Sequence, residues 1–571
     1  MFQETGQGRK KQILSIALED YFHGPAFSKF IDRKHWARFE TRFEQNCLEV
    51  FDKLERSGSK ATFFVNAWTA QSCPDLSREV IRRGHELALA GSRNGSFRFL
   101  SPEELRKRVR ADRDVVEAAC GRRVLGYRVT DVLLSERDLW ALDVLAEEGF
   151  SYDSSLSPFL WRFSRQPWRQ FIHQNVLNRS DIWEVPLSSY RIGRMLFPIA
   201  GGNYFRQYPE RLVRGALRKL QQSSSHPLVL YFRLWDFDPA QPRIETGSAI
   251  RQFRHYRNRE RIVKTLSELL EEYKFTSIAE YLELEQTVVE PVAVTAKAGG
   301  IVVSTQEQAG EITPVSVIIP CYNEETSIPY LVNTLHELKA GLRTEYDLQF
   351  ILVDDGSKDQ TWTALTKQFA GSPDTILIRH EQNLGVAGAI ATGLASSREI
   401  ACSMDCDCSY DPFLLKPMLK MLQADVDLVT ASPYHPDGSV RHVPGWRLGL
   451  SKGASFLYRT VTGRKLYTFT ACLRVYRRSA ALPIHLRHSG FLGVAELVGR
   501  LAEQGKNIVE CPATLESRLF GRSKMKVVRT TIGHLGLLTT LAWSRMRRRP
   551  VPVVASSANT NSSSAVSPAK L

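Results

Sequence analysis

The chain has 571 residues, more than one hydrophobic core supports, so two or more domains are expected. A formal net charge of +15 calls for an anionic partner, while the lack of zinc-finger spacing and of an aromatic-interleaved basic stripe argues against nucleic acid. The 9 cysteines are scattered and odd in number, which excludes a disulfide framework and points to a reducing, cytosolic compartment. The polar start, residues 1–11, leads into the first strand without an apolar signal core. No uninterrupted apolar run reaches about 18 residues, so no spanning helix is predicted.

In chain order, residues 13–16, 61–65 and 228–232 read as buried strands, and residues 102–115 and 259–273 as helices. This alternation makes residues 12–286 one α/β domain. Residues 287–313, rich in Val, Ala, Thr, Gly and Gln and without an aromatic side chain, read as a linker. A second α/β domain occupies 314–550, and the Ser- and Ala-rich residues 551–571 form a disordered tail. Residues 532–543, followed by Arg545, Arg547, Arg548 and Arg549, have two readings: a packing helix with a solvated basic end, or a segment lying in an anionic membrane interface.

The second domain carries three motifs at predicted strand ends, where open parallel sheets bind ligands. Val317-Ile318-Ile319-Pro320 runs into Cys321-Tyr322-Asn323-Glu324. The strand 350–353 ends in Asp354-Asp355-Gly356-Ser357, where a carboxylate accepts hydrogen bonds from ribose hydroxyls or a base edge, or caps a turn. The strand 400–404 ends in Asp405-Cys406-Asp407-Cys408-Ser409. Two carboxylates one residue apart can face one divalent cation, and hard oxygen donors suit Mg²⁺ or Mn²⁺. Cys402, Cys406 and Cys408 suggest a soft-metal site instead, but no second Cys or His pair stands at a zinc-like spacing.

In this order the motifs resemble those of family 2 glycosyltransferases, and residues 314–526 are most similar to the dolichyl-phosphate-mannose-synthase type. Asn383-Leu384-Gly385-Val386-Ala387-Gly388 resembles the family's glycine-rich segment, residues 445–457 its acceptor-phosphate segment, and residues 518–525 its late basic loop. The resemblance implies a GT-A nucleotide-sugar (Rossmann-like) fold and a nucleoside-diphosphate-sugar donor. It implies that Pro320, Tyr322, Glu324, Asp354, Asp355, Cys406 and Ser409 surround the donor, and that Asp405 and Asp407 hold the metal. Arg518 and Lys524 would close over the donor phosphates, and Arg447 and Ser451 would hold an acceptor lipid phosphate. One position departs: Pro433 stands where the family has an acceptor-binding arginine, and proline cannot hold a phosphate. The acceptor is then either a polyprenyl phosphate, with a shifted cation such as Arg441, or an envelope glycan. A hydroxyl acceptor would need a general base, for which Glu496 is the candidate; its other reading is an ordinary helix-surface glutamate.

The first domain resembles NodB-homology polysaccharide deacetylases through residues 14–23, Gly84-His85-Glu86-Leu87-Ala88, Gly126-Tyr127-Arg128, Tyr152-Asp153-Ser154-Ser155 and residues 230–235. That resemblance implies a deformed (β/α) barrel. The reactive positions do not match: Ala17 replaces the family's Asp base, Ala90 and Asn94 its two metal-binding histidines, and Arg233 its catalytic histidine. With neither histidine, Asp20 cannot hold zinc and no water is activated, so deacetylase activity is not expected. Arg128, Arg206 and Arg233 are expected to make the old cleft positive. The whole reads as a metal-dependent hexosyltransferase behind an inactive deacetylase-like domain, cytoplasmic or peripheral on the cytoplasmic face of an anionic membrane. Two alternatives stand beside it: a bifunctional deacetylase–glycosyltransferase, and a glycan-binding scaffold for envelope polysaccharide assembly.

Overall fold

A computed structural model describes residues 11–91, 100–129, 136–161, 163, 166–176, 181–245, 248–289, 312–443, 445–488, 490–521 and 527–547. The chain divides into two compact units, one built chiefly from Met1–Gly310 and the other chiefly from Leu335–Arg518.

The strands of the first unit are β1 (Gln12–Ala17), β2 (Thr62–Val65), β3 (Glu86–Gly91), β4 (Gly126–Val129), β5 (Tyr152–Asp153), β6 (His173–Val176), β7 (Asp181–Glu184), β8 (Ser189–Ile192), β9 (Met195–Pro198), β10 (Val229–Arg233) and β11 (Phe275–Thr276). Nine of them form one sheet in the order β10-β1-β2-β3-β4-β5-β7-β6, with β11 also on β1. Only the β6–β7 pair is antiparallel. Every residue of β1, β2 and β3 is buried, as a parallel sheet covered on both faces requires. This curled parallel sheet is the deformed barrel expected from the sequence. Helices such as Phe43–Ser57, Pro102–Cys120 and Arg259–Glu272 supply the outer layer of its core. The helix Pro102–Cys120 starts at a Ser101–Glu104 capping box and stops at Gly121, which takes φ 68°. It runs past the expected end at residue 115 because Val116, Ala119 and Cys120 continue the buried stripe.

Inside the curl, charged groups are matched by the chain itself. Arg128 donates to the Ser154 carbonyl at 2.7 Å and to Ser15 Oγ at 2.7 Å, and its guanidinium lies 4.3 Å from the Phe64 ring and 4.7 Å from the Tyr231 ring. Arg206 pairs with Asp236 at 3.2 Å and donates to the His255 carbonyl. The expectation that both charge an open cleft is therefore corrected: both side chains are buried and held by interior partners. Of the three arginines, Arg233 alone keeps some exposure, and its Nε sits 3.3 Å from Glu19 Oε2.

The second unit contains β12 (Thr313–Cys321), β13 (Tyr346–Asp354), β14 (Thr375–Arg379), β15 (Ile400–Ser403), β16 (Leu428–Ser432), β17 (Ser439–Arg441), β18 (Arg474–Arg477), β19 (Ile508–Pro512) and β20 (Thr514–Glu516). Seven form a sheet in the order β14-β13-β12-β15-β18-β16-β19, with β18 antiparallel to both neighbours. β17 and β20 make a separate parallel pair. This is the Rossmann-like GT-A arrangement. The turn after β13 needs glycine, because Gly356 has φ 68° and a Cβ there would meet the Gln382 carbonyl carbon at 2.7 Å.

The helix Val527–Arg547 satisfies part of each reading of its apolar segment. Leu537, Leu538 and Leu541 are buried, while Ile532, Leu535 and Trp543 are exposed. Among the described residues no helix is long and apolar enough to cross a membrane. Residues 287–289 of the expected linker bond back to the turn at 121–123 through the Thr287 carbonyl and the Val289 N–H. Residues 290–311 and the expected tail 551–571 lie outside the described residues.

One feature of the first unit is testable by pH. Asp153 and Glu184 are register partners across β5 and β7, and both are buried. Burial pushes Asp153 up to about 6 and raises Glu184 well above its ordinary value. Raised carboxyls take up protons on folding, so for Asp153 the stabilising contribution is full below its unfolded value of 3.8 and is lost as pH rises through about 6. Glu184→Gln offers an amide donor beside Asp153 and removes one titrating group. The variant should be about 1 kcal/mol more stable than wild type at pH 8, with the gap closing towards pH 4, as read by thermal unfolding.

Candidate active site

Three strand ends of the second unit meet at one acidic corner. β12, β13 and β15 run parallel as neighbours, so their loops leave the same edge of the sheet. The Met404 N–H still bonds to the Ile318 carbonyl at 3.0 Å, and the chain then turns through Cys408 at φ 52°. Within the turn Asp407 Oδ1 accepts from the Ser409 N–H at 2.9 Å and Ser409 Oγ at 2.6 Å. Asp407 Oδ2 lies 3.5 Å from Arg518 Nε. Asp405 is half-buried; burial and then the neighbouring Asp407 charge push it up to about 7.

Glu324 closes the corner. Its Oε2 accepts from Ser327 Oγ at 2.8 Å and from the Arg518 guanidinium, and its N–H donates to Thr361 Oγ1 at 2.6 Å. Arg518 reaches this place through backbone. The Glu516 N–H donates to the Ser409 carbonyl at 2.9 Å, and Leu515 bridges to Tyr410, so β20 is tied to the Asp405–Asp407 turn just before Arg518. Among the described residues, the Arg518 guanidinium faces these carboxylates. The Cys406 thiol between the two aspartates is buried, so it is not offered to the corner. Oxygen donors with excess negative charge fit Mg²⁺ or Mn²⁺. Among the described residues no group of three or more His, Cys, Asp or Glu could hold a metal. Ligand oxygens and water would complete the shell.

The other expected donor contacts divide. Pro320 and Tyr322 lie half-exposed where β12 ends. Asp354 is fully buried, accepts the Ser357 N–H at 3.2 Å and sits 3.3 Å from Arg379 Nε. Asp355 has a different place from the one expected. Its carboxylate accepts from His380 Nδ1 and the Leu384 N–H, both at 2.8 Å, from Asn383 Nδ2 at 2.9 Å and from the Gly385 N–H at 2.7 Å. It anchors the glycine-rich turn, and His380 passes the tether to Thr392 at 3.0 Å.

On the acceptor side, Ser451 lies on the helix Gly445–Thr462 with its Oγ 3.1 Å from Thr470 Oγ1. Arg447 is on the same helix, its side chain outside the described residues, as are Lys524 and Asn94. Pro433 is buried after β16, and Arg441 is exposed on β17, 3.9 Å from Glu516. Glu496 fits neither of its readings. It is 0% exposed and accepts from the Arg487 N–H at 3.0 Å, the His488 N–H at 3.0 Å, His488 Nδ1 at 2.9 Å and Arg500 Nε at 2.7 Å. Burial pushes its carboxyl up, but these donors outweigh burial and hold it below the ordinary value.

In the first unit Ala17 pairs with Arg233 across β1–β10, and Ala90 pairs with Arg128 across β3–β4. Asp20 accepts the Tyr21 N–H at 2.8 Å and the Arg42 N–H at 2.5 Å, and burial pushes it up to about 7. Its own N–H donates to His23 Nδ1 at 2.8 Å. Arg379, which sits beside Asp354, was not anticipated; it lies in no motif, and only the folded sheet brings it there.

Comparison with known proteins agrees with this layout. The polysaccharide deacetylase family matches residues 31–142, a domain of unknown function (DUF3473) residues 154–283, and glycosyl transferase family 2 residues 316–482. Polyprenol monophosphomannose synthase of Mycolicibacterium smegmatis is 32% identical over 37% of this chain and 80% of its own length. Dodecaprenyl-phosphate galacturonate synthase of Rhizobium johnstonii is 28% identical over 41% of this chain and 69% of its own. Among solved structures, glucosyl-3-phosphoglycerate synthase from Mycobacterium tuberculosis, crystallised with Mn²⁺ and UDP, is 17% identical over 40% of this chain and 80% of its own, with TM-score 0.33. The chain carries a deacetylase-family domain in front and belongs, through its second unit, to the family 2 glycosyltransferases.

Proposed function

We propose that this protein moves a sugar from a nucleoside-diphosphate donor to a polyprenyl phosphate, with Mg²⁺ or Mn²⁺ held by Asp405 and Asp407. The observation that carries the reading is the corner where Glu324 and Asp407 meet the guanidinium of Arg518, with Asp405 beside them. A bound divalent cation would offset the charge that develops on the departing diphosphate. Arg518 and Lys524 add positive charge to the same phosphates. Tyr322, Pro320 and Asp354 line the nucleotide, Ser409 and Cys406 shape the diphosphate turn, and Asp355 acts by holding residues 383–385 in place.

Polyprenyl phosphate is favoured over a glycan hydroxyl for a chemical reason. A phosphate acceptor is already anionic at neutral pH and needs no strong base, and the enclosed Glu496 offers none. Two relatives have a polyprenyl phosphate in their names and differ in the sugar, mannose or galacturonate. Arg447 and Ser451 hold the acceptor phosphate, with Arg441 supplying the cation that Pro433 cannot. The acceptor is a membrane lipid, and the helices Gly445–Thr462 and Val527–Arg547, joined by a 2.9 Å bond from Tyr458 Oη to His534 Nδ1, expose suitable side chains. Trp446 is 55% exposed, Phe456 67%, Ile532 65% and Trp543 54%. Apolar faces on a strongly basic chain suit the surface of an anionic cytoplasmic leaflet.

The deacetylase-like unit is proposed to be catalytically silent. Ala17 and Ala90 offer no ligand, Asp20 is spent on backbone donors, and Arg233 pairs with Glu19 where the family has its catalytic histidine. Purified full-length protein should contain no stoichiometric zinc and release no acetate from N-acetylated oligosaccharides; zinc-dependent acetate release would overturn this assignment. Asp407→Asn should lower Mn²⁺-dependent transfer of labelled sugar into polyprenyl phosphate at least ~100-fold. Undiminished transfer would reject the site. Phe456→Glu should weaken co-sedimentation with phosphatidylglycerol vesicles while leaving bound nucleotide unchanged; equal sedimentation would remove this face from the membrane contact.

A further inference from the structure

We infer that Arg518 is the site's own counter-cation, occupying the acidic corner before donor binds and competing there with the divalent ion. The inference rests on the proposed metal role of Asp405 and Asp407. Its geometry is independent of that role. Arg518 donates to Glu324 Oε2, and its Nε stands 3.5 Å from Asp407 Oδ2, so one guanidinium spans two of the three acids. Asp407 Oδ1 is held by Ser409, which leaves Oδ2 towards Arg518, while Glu324 Oε2 accepts from both Ser327 Oγ and the Arg518 guanidinium. Asp405, the third acid, feels both the Asp407 and Arg518 charges.

Such an arrangement has a direct electrostatic reason. Three carboxylates collected at one strand edge repel each other, and a tethered guanidinium relieves that repulsion without an ion from solution. The tether is short: the Glu516 N–H to Ser409 carbonyl bond and the Leu515–Tyr410 bridge fix the chain just before Arg518. Its side chain is therefore always within reach of the corner and can exchange one anionic partner for another. Once the acids are satisfied by a divalent ion, Arg518 is released, and the nearest new partner is a diphosphate oxygen, for which a guanidinium is well suited. Arg518 thus couples two binding events. Cation binding frees it for the donor phosphates, and donor phosphates draw it away from the acids. By linkage, each ligand then strengthens the other through this one side chain.

The test is an Mn²⁺ binding isotherm on the full-length protein, read by the electron paramagnetic resonance signal of free Mn²⁺, with and without UDP or GDP. Wild type, Arg518→Ala, Arg518→Gln and Asp407→Asn are compared, with circular dichroism to confirm folding; the glutamine variant keeps a side chain of similar reach should alanine unfold. Without nucleotide, loss of the guanidinium should tighten Mn²⁺ binding by about tenfold, since a charge-assisted competitor is gone. The gain in Mn²⁺ affinity caused by nucleotide in wild type should shrink in both Arg518 variants. If either folded Arg518 variant binds Mn²⁺ no more tightly than wild type, the inference fails while the metal site stands. If wild type binds no Mn²⁺ that Asp407→Asn removes, the metal assignment fails and the inference with it.

Discussion

Carboxylates gathered at the edge of a parallel sheet repel one another, and the second unit is organised around keeping three of them together. Glu324 follows β12 while Asp405 and Asp407 follow β15, and the two strands are paired in register up to Ile318 and Ser403. Their separation is thereby set by a backbone ladder, not by flexible side chains. The Asp407–Ser409 turn and the Asp355 anchor then stiffen the loops on either side. Arg518 supplies the opposing charge. Remove the strand register and the acids scatter; remove the guanidinium and they repel. The acidic corner needs both.

The two units treat buried charge in opposite ways, and the contrast is informative about function. In the first, Arg128, Arg206, Asp20 and the Asp153–Glu184 pair find partners within the chain. Partners supplied from within the chain in this way help to specify a fold. In the second, Glu496 and Asp355 are ringed by donors in the same sense, whereas Glu324 and Asp407 are turned towards Arg518.

Much of this was legible in the sequence. The strand ends at Pro320, Val353 and Met404 could be placed because apolar runs stop abruptly at acidic, turn-forming residues, and parallel strands send such ends to one edge. The missing metal ligands of the first unit were legible too, since Ala17 and Ala90 are unambiguous as residues. What could not be read was partnership over distance. Glu496 looked like a solvent-facing helix residue because helical periodicity says nothing about the loop at Arg487 and His488 that folds over it. Asp354 and Asp355 are neighbours in sequence but point to different partners, since alternate residues at a strand end face opposite ways. Arg128 and Arg206 read as cleft charge because their interior acceptors, a Ser154 carbonyl and a His255 carbonyl, carry no sequence signal.

The most direct measurement is a crystal structure of the full-length protein with Mn²⁺ and a nucleoside diphosphate. The account expects anomalous density for one ion between the Asp405 and Asp407 carboxylates, diphosphate oxygens in its shell, and Arg518 turned from Glu324 to the phosphates. An ion bound elsewhere, or a nucleotide seated away from the ends of β12 and β15, would contradict it.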